Sequence, residues 1–419
     1  QAITLAELDH QTAGQASLRS LVQSHTAKSK IPKPNPSHPL RLALVTPFPP
    51  ARSGVADCSA ELLTGLREHY NVTVIDTTPN DLRDWDEDKR EPSGIKSLKW
   101  FLDNAQDFDR VVYQLGNSAY HTGILPTMAR VPGVVALHDI FVADYVHEEQ
   151  GRGHSRMWPE VLLYEHGSKA LITAQNNHSQ AVINYAANYR VFRDSVGVVL
   201  HSKHALALAT EQIGEDTRSR VQVIPLVRQP APTAPSLEER RKARQSLGLA
   251  ENSTIVCSFG IVSQHKSPFK LLEAWHESDL AKDENTQLVF VGRFISETFG
   301  QKVIEAIAKL PHPEQIRITG FVDDETFKNY LKAADFAVQL RGVSRGETSG
   351  AALHAMAYGL PQIVNACGSF AELDNEAVWV LPEQTTAKEL AHAMNSLYHD
   401  RNKRQAMANR GPTLIQTKH

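Results

Sequence analysis

The sequence is poor in cysteine and carries no strong excess of charge of either sign. Its 419 residues include three cysteines, Cys58, Cys257 and Cys367, which lie far apart and form no C-x-x-C pair. This distribution argues against a disulfide scaffold and a zinc site, and it fits a reducing compartment. With 44 basic and 47 acidic residues the net charge is −3, so no strong basic field is available to hold a nucleic-acid backbone.

Long hydrophobic runs and several active-site motifs are missing as well. No apolar run reaches the roughly 18 residues that indicate a membrane-spanning helix. The motifs GxxxxGK[ST], HExxH and GxGxxG do not occur, which argues against P-loop enzymes, HExxH metalloproteases and a dinucleotide fingerprint. Hydrophobic residues (41%) and charged residues (22%) have ordinary globular frequencies, which excludes disorder for most of the chain.

The first 40 residues differ from the rest of the chain. The stretch "KSKIPKPNPSHP" contains several prolines among polar residues, a composition typical of linkers. We therefore predict an N-terminal extension over residues 1–40, attached to a globular body that starts near Arg41.

From Arg41 onward, short apolar segments alternate with helical ones in two successive series. The first series of predicted strands comprises residues 40–50, 71–76, 110–116, 133–139 and 195–205; the second comprises 254–260, 287–293, 316–322, 335–341, 361–368 and 377–383. The proline-rich stretch 221–235 separates the two series and is interpreted as a hinge. The pattern predicts an α/β protein with two doubly wound parallel-sheet domains, 41–220 and 221–419, that face each other across a cleft. Such a cleft is the default position for a ligand.

The stretch "RGETSGAALHAMAYGLPQIVNACGS" (345–369) is the most informative. Thr348 or Ser349 can cap a helix over about 350–358, ended by Gly359. The free N–H groups and the positive dipole at the start of this helix, at Gly350, suit a diphosphate, and Glu347 can accept from ribose or sugar hydroxyls. The alternative is an ordinary capped helix whose glycines serve packing.

A second polar loop follows the first strand of the second series. In "SFGIVSQHKSPFKLLEAW" (258–275) the strand ends at Gly260, and the loop carries Lys266 to the start of an amphipathic helix. A lysine at this point can neutralise phosphate charge, although exposed loop lysines are also common.

In the first domain, small residues, polar residues and histidines follow the ends of the predicted strands. Gly54 permits close backbone approach, and Ser53 precedes it in the loop after the first strand. His138 and Asp139 follow the strand 133–139, and the loop after 110–116 contains Asn117 and His121. A histidine at such a place can bond a sugar hydroxyl or move a proton, or it can be a buried structural residue.

Four segments together resemble retaining glycosyltransferases of family 4, which have the two-Rossmann GT-B architecture. They are "PFPPARSGVADCS", "ALHDIF", "FGIVSQHKSPFKLLEAW" and "RGETSGAALHAMAYGLP", and the resemblance covers roughly residues 41–410. The last segment is the most specific. It resembles the donor domain of bacterial enzymes that build O-antigen and other surface polysaccharides, including mannosyltransferases.

The resemblance implies roles for the matching residues. Lys266 would hold the donor diphosphate, Glu347 would be the first glutamate of the family's E-x7-E motif, and His138 would contact the transferred sugar near the reacting carbon. The implied donor-binding set is Ser53, Gly54, Gly260, Lys266, Arg345, Glu347, Thr348, Ser349 and Gly350; the implied catalytic residues are His138, Lys266 and Glu347; and Asn117, His121 and Asp139 would bind the acceptor.

The sequence departs from the family pattern at two positions. Ile261 stands where the family often has an arginine just after the strand glycine, and Arg341 or Arg345 is a candidate replacement for that cation. The second glutamate of the motif falls on His354, with one residue fewer between the two positions than the usual seven.

By resemblance, the protein would transfer a hexose, with mannose from GDP-mannose as the best candidate, to a growing, lipid-linked polysaccharide with retention of configuration. No cofactor and no metal would be needed, because protein cations and a helix N-terminus would stabilise the leaving diphosphate. The enzyme would be cytoplasmic or peripheral on the inner face of the membrane, without nucleic-acid partners.

Other interpretations remain open at the level of sequence. They are another nucleotide-sugar enzyme such as an epimerase or a glycogen-synthase-like polymerase, a catalytically degenerate GT-B module that binds acceptor within a larger polymerase, and a two-lobed periplasmic-type binding protein. The start at Gln1 and the ending "RGPTLIQTKH" suggest a module of a longer multi-transferase chain, with little sequence left for a helix that crosses back onto the first domain.

Overall fold

The structure, a computed structural model, describes residues 39–82, 94–153, 156–231 and 235–419, with only the backbone of residues 216 and 217. The predicted extension over residues 1–40 lies almost wholly outside this part of the chain. The described residues form two α/β domains, each with one all-parallel sheet covered by helices on both faces. This confirms the predicted fold class.

The first sheet has seven strands in the order β3-β2-β1-β4-β5-β6-β7. Its strands are β1 (Leu40–Thr46), β2 (Tyr70–Asp76), β3 (Lys96–Ser97), β4 (Arg110–Leu115), β5 (Val134–Leu137), β6 (Gly197–Leu200) and β7 (Val221–Val223). The chain winds one way from β1 to β3 and the other way from β4 to β7. The crevice where the direction reverses therefore lies at the carboxyl ends of β1 and β4.

The second sheet has six strands in the same kind of order, β10-β9-β8-β11-β12-β13. Its strands are β8 (Thr254–Phe259), β9 (Thr286–Val291), β10 (Ile316–Ile318), β11 (Phe336–Gln339), β12 (Gln362–Asn365) and β13 (Val378–Leu381). The winding direction reverses between β8 and β11, which places the loops after these two strands at the second crevice.

The two edge strands of the first sheet carry no apolar pattern that the sequence analysis recognised. β3 consists of only Lys96 and Ser97, and β7 opens the proline-rich stretch. Since Val221–Val223 pairs with β6, the chain leaves the first sheet after residue 223 rather than at the predicted boundary of 220. The hinge prediction placed this strand with the prolines that follow it.

The first domain contains nine α-helices among the described residues and the second contains seven. Those of the first are α1 (Gly54–Arg67), α2 (Leu98–Asp103), α3 (Ile124–Arg130), α4 (Ala143–Gly151), α5 (Met157–His166), α6 (Ser168–Asn176), α7 (His178–Asn184), α8 (Tyr189–Asp194) and α9 (Lys203–Ile213). Those of the second are α10 (Leu237–Ser246), α11 (Pro268–Glu277), α12 (Glu297–Ala308), α13 (Asp324–Ala333), α14 (Gly350–Ala357), α15 (Ala387–His399) and α16 (Arg401–Lys418).

Each sheet is buried on both faces, as its continuous apolar strands predict. In β1, alternate residues enter different clusters: Ala43 and Val45 pack with α3 and α4, whereas Leu42 and Leu44 pack with Leu63 of α1. The strand is therefore buried from Leu42 onward, and its carboxyl end points toward the cleft.

The last helix, α16, lies on α14 and ends at the connection between the domains. A Cβ added at Gly411 would lie 2.8 Å from the carbonyl oxygen of Met356, so the glycine permits this close packing. At the far end, the His419 carbonyl accepts a hydrogen bond from the N–H of Arg228 (3.1 Å). None of the helices in the described residues has the length and apolar character to span a membrane.

Candidate functional site between the two sheets

The carboxyl ends of the two sheets enclose a cavity of about 490 Å³ between the domains. Its lining comes from both sides: Asn117, Asp139, Asp144, His178, Ser179, Val182 and Ile183 from the first domain, and His265, Ile295, Val343, Arg345 and Glu347 from the second. Four of the residues singled out from sequence (Asn117, Asp139, Arg345 and Glu347) therefore meet in one cavity.

Glu347 is held in the loop between β11 and α14 by a dense set of donors. Its carboxylate accepts from the guanidinium of Arg341, from Ser344 Oγ (3.3 Å) and from the backbone N–H of Arg345 (2.6 Å). Its carbonyl accepts from Ser369 Oγ (2.9 Å). These bonds fix the approach to α14 and leave a cation, Arg341, beside the carboxylate.

The start of α14 has the form that the sequence predicts. Ser349 caps the helix by accepting from the N–H of Ala352 (3.2 Å), and Gly350 is its first residue. Thr348 Oγ1 is buried and has no hydrogen-bond partner among the described residues. Unpartnered N–H groups, the helix dipole and a buried hydroxyl without a partner together favour an anionic, hydrogen-bonding ligand here.

Lys266 lies in the loop after β8, at the same crevice of the second domain as Glu347. Its ammonium donates to the carbonyl of Phe259 at the end of β8 (2.6 Å). Burial, reinforced by the positive charge of Arg341, lowers the pKa of Lys266 to about 8, while Glu347 opposes this shift. An arriving phosphate would supply the negative charge that this desolvated ammonium lacks.

Gly260 leaves the space that the Lys266 ammonium fills. Its φ of +93° lies in the left-handed region, and a Cβ at this position would clash with Lys266 Nζ. A glycine is required here both for the backbone conformation and for the approach of the lysine.

His138 follows β5 at the cleft. Its Nε2–H donates to Gln114 Oε1 (2.6 Å), and its ring lies 4.8 Å from that of His201. Burial and the neighbouring His201 lower the pKa of His138 well below the ordinary value. The imidazole is therefore neutral at pH 7 and can take part in hydrogen bonds without carrying charge.

Asp139, the next residue, faces the cavity. Burial and the charge of Glu347 raise the pKa of Asp139 to about 7. Asn117 bridges this carboxylate and that of Asp144. Its backbone N–H donates to Asp139 Oδ2 (3.2 Å) and its Nδ2 donates to Asp144 Oδ2 (2.8 Å). Asp144, which the sequence analysis did not single out, also pairs with Arg345 across the cleft at 3.3 Å.

The remaining first-domain residues lie further from the cavity. Ser53 caps α1 by accepting from the N–H of Val55 (3.3 Å), and Gly54 has open space around its Cα. His121 is only 1% exposed and its Nδ1 lies 3.1 Å from the Gln114 carbonyl, and burial lowers the pKa of His121 to about 4. The structure thus places His121 in the interior, beneath Gly116, and not on the cavity wall.

The first position that departs from the family pattern is Ile261, where the family often has an arginine. Ile261 is 43% exposed at the end of β8, and the cation nearest to Glu347 is Arg341, one of the two proposed replacements. The other, Arg345, faces the first domain through Asp144. Arg341 therefore lies beside Glu347, whereas Arg345 lies where the second domain contacts the first.

His354, which replaces the second glutamate, forms a buried cluster with two residues that the sequence analysis missed. Arg228 from the interdomain connection is 3% exposed; its guanidinium binds Glu61 of α1 and donates to His354 Nε2 (2.6 Å). Burial and the charge of Arg228 lower the pKa of His354 to about 3. No local pattern points to this cluster, because its members lie more than a hundred residues apart along the chain.

The described residues contain no group of three or more His, Cys, Asp or Glu side chains that could hold a metal ion. The charged groups at the cleft are instead arranged as carboxylate–guanidinium pairs, with one separate ammonium at Lys266.

Comparison with known proteins shows that the second half of the chain is similar to a described family. Residues 239–413 match the family model "Glycosyl transferases group 1". No curated protein sequence matches the chain.

Several solved structures are similar to the whole described fold. HepE from Anabaena in complex with UDP-glucose has a TM-score of 0.63 at 15% identity, covering 90% of this chain and 95% of that one. WaaG, a glycosyltransferase involved in lipopolysaccharide biosynthesis, has a TM-score of 0.59 at 16% identity with the same coverage. The catalytic domain of starch synthase IV from Arabidopsis thaliana, bound to ADP and acarbose, has a TM-score of 0.62 at 11% identity, again with coverage of 90% and 95%.

At these identities the similarity shows the fold alone. This is the GT-B fold, with the two domains in the same order along the chain. The family match adds that the second domain resembles group 1 glycosyl transferases.

Proposed function

We propose that this protein is a retaining, metal-independent glycosyltransferase that moves a hexose from a nucleoside-diphosphate sugar to a glycan acceptor. The observation that carries the proposal is the convergence of Lys266, Glu347 and the start of α14 at the cleft between the two sheets. Each is a group that a sugar diphosphate requires: a cation, a carboxylate that accepts hydrogen bonds from hydroxyl groups, and a set of free N–H groups.

The donor diphosphate would lie between Lys266 and the N-terminus of α14. Thr348 Oγ1 and the N–H groups that follow it would donate to the phosphate oxygens, and the Lys266 ammonium would neutralise the charge that develops on the leaving group. Glu347, held by Arg341, would accept from hydroxyls of the donor.

In the proposed reaction, the bond between the anomeric carbon and the diphosphate oxygen breaks, and the acceptor hydroxyl forms the new glycosidic bond on the same face. The proton of that hydroxyl moves to the departing diphosphate oxygen. The protein therefore contributes positioning and charge stabilisation, with the neutral His138 as a hydrogen-bonding partner of the transferred sugar.

We propose GDP-mannose as the donor because the sequence around Glu347 resembles that of mannosyltransferases. HepE was solved with UDP and glucose, so UDP-glucose is the first competitor to include. Thermal unfolding with a panel of nucleotide sugars separates the two, because a ligand that binds the native state raises its stability.

For the acceptor we propose a growing, lipid-linked surface polysaccharide, with the protein in the cytoplasm or peripheral on the inner membrane face and working beside other transferase modules. The support is the resemblance of the segment 345–369 to enzymes of O-antigen and lipopolysaccharide synthesis.

The test replaces Lys266 or Glu347 by alanine and measures sugar transfer from the donor that the panel identifies. We expect a loss of about 10²–10³-fold in kcat/KM for each variant, as for the removal of one group that stabilises developing charge. Lys302→Ala on α12, an exposed lysine that does not line the cavity, serves as the matched control. Wild-type turnover in Lys266→Ala or Glu347→Ala would overturn the proposal.

A further inference from the structure

Part of the lining of the cleft cavity is aliphatic and accessible. Ile183 of α7, Ile295 in the loop after β9 and Val343 in the loop after β11 all line it, with exposed fractions of 41%, 53% and 49%. Single exposed apolar side chains are common on proteins and need no explanation. Here, however, three of them come from separate elements of both domains and converge on one cavity, next to the buried Val182.

Most of the remaining lining is polar or charged. It includes Asn117, Asp139, Asp144, Arg345 and Glu347, which the hydrogen bonds described above hold in place. A ligand that fills the cavity therefore meets both hydroxyl-binding groups and aliphatic side chains. Small-molecule sites commonly combine an apolar lining with a few placed polar groups.

We propose that the acceptor carries an aliphatic group directly beside its hydroxyl-bearing ring, and that Ile183, Ile295 and Val343 select for it. The inference rests on the proposed glycosyl transfer and specifies its acceptor. The sugar ring lies near the polar residues Asn117 and Asp139, and the aliphatic group packs against the three side chains. Because these come from both domains, the bound aliphatic group also contacts the two domains at once.

The same chemistry has two possible sources, an alkyl aglycone or the methyl group of a deoxy sugar. The probes are therefore methyl glycosides, hexyl glycosides and methyl 6-deoxyglycosides of the same sugar, offered with UDP- and GDP-hexoses and followed by mass spectrometry. Burial of about two methylene groups corresponds to roughly tenfold in affinity. We expect the hexyl or the 6-deoxy compound to have a KM at least about tenfold below that of the methyl glycoside, and the favoured compound identifies the source.

The variant Ile183→Thr/Ile295→Thr/Val343→Thr makes this part of the lining polar, and each isoleucine change also shortens the side chain by one carbon. We expect the acceptor preference to fall below about threefold, with the donor KM unchanged. The matched control is Ile172→Thr/Val196→Thr/Ile304→Thr, two isoleucines and one valine of similar exposure (57%, 51% and 48%) that do not line the cavity. It should retain the wild-type preference.

Equal KM values for all three probes with the wild type would overturn the inference, and so would a triple variant that changes the donor KM alone. Absence of transfer from any donor to any probe would instead count against the proposed function. In that case calorimetric binding of hexyl and methyl glycosides in the presence of UDP or GDP still decides the question, since equal affinity would refute an aliphatic subsite.

Discussion

The position of the Lys266 ammonium depends on one glycine. Lys266 reaches the Phe259 carbonyl only because Gly260 has no side chain and adopts a positive φ. Two demands thus meet at Gly260, one from the backbone and one from the neighbouring amine.

These demands can be separated experimentally. Gly260→Ala should lower stability by about 1–2 kcal/mol through backbone strain and should also displace Lys266. Gly214→Ala also places an alanine at positive φ (+106°), but with open space around the added methyl group. We expect calorimetry to show weakened binding of nucleoside diphosphate in Gly260→Ala only, and equal binding by both variants would contradict this explanation.

The charge of Lys266 also predicts a pH dependence. Since its pKa is about 8, the ammonium loses its proton above this value, and the attraction for the diphosphate is lost with it. We expect kcat/KM for the donor to fall by about tenfold per pH unit above pH 8. In Lys266→Arg the guanidinium stays charged, so this alkaline decline should disappear; an identical decline in that variant would assign it to another group.

At the scale of secondary-structure elements, Arg228 connects two of them. It comes from the chain segment between the domains, binds Glu61 on α1 and donates to His354 on α14. The neutral histidine is suited to this contact, because a protonated ring would face the guanidinium with like charge. The departure from the glutamate motif thus has a structural counterpart in Arg228.

This contact predicts how stability changes in acid. His354 remains neutral in the folded state down to about pH 3, whereas in the unfolded chain it gains a proton near pH 6.5. The unfolded state therefore binds more protons in this window, and stability falls as the pH decreases from 6.5. Without a protonatable side chain at this position, the free energy of unfolding should decrease by roughly 2 kcal/mol less between pH 7 and pH 4.5.

The comparison uses His354→Gln, which can still accept from Arg228 but cannot gain a proton. Urea unfolding at pH 7 and 4.5 should show a smaller acid loss for His354→Gln than for the wild type. His312→Gln, at an exposed position with a side chain 52% accessible, should behave as the wild type. The same acid loss in all three proteins would exclude the proposed effect of His354.

At the scale of the whole molecule, a few polar contacts hold the domains around the cleft. The N–H of Ile140 donates to the carbonyl of Arg345 (2.9 Å), and the guanidinium of the same arginine pairs with Asp144. On another side, Glu372 accepts from the N–H groups of Lys203 and His204 at the start of α9 (3.0 and 2.7 Å). Since the loop that carries Glu347 belongs to this interface, domain arrangement and donor binding are expected to be linked.

The double variant Asp144→Ala/Glu372→Ala removes one carboxylate from each contact. We expect small-angle X-ray scattering to give a larger radius of gyration than for the wild type, because neither side chain then joins the domains. Asp279→Ala, which breaks pairs within the second domain, is the control and should leave the radius unchanged. A radius that does not increase in the double variant would show that other contacts hold the domains.

The sequence by itself determined most of the fold and the main candidate residues. Continuous apolar strands in regular alternation with helices predict two parallel sheets, and the capping residue Ser349 with Gly359 predicts α14 nearly to the residue. These features are local, because burial of a strand and capping of a helix are encoded by neighbouring residues. β3 and β7 escaped prediction because two or three residues at a sheet edge carry no such pattern.

Only the tertiary structure decided which polar groups meet. The cluster of Arg228 with His354, the pairing of Asp144 with Arg345 and the burial of His121 depend on contacts between distant segments. The convergence of Ile183, Ile295 and Val343 on one cavity likewise requires both domains. Such contacts depend on how the two sheets are placed against each other, and no spacing along the chain records that placement.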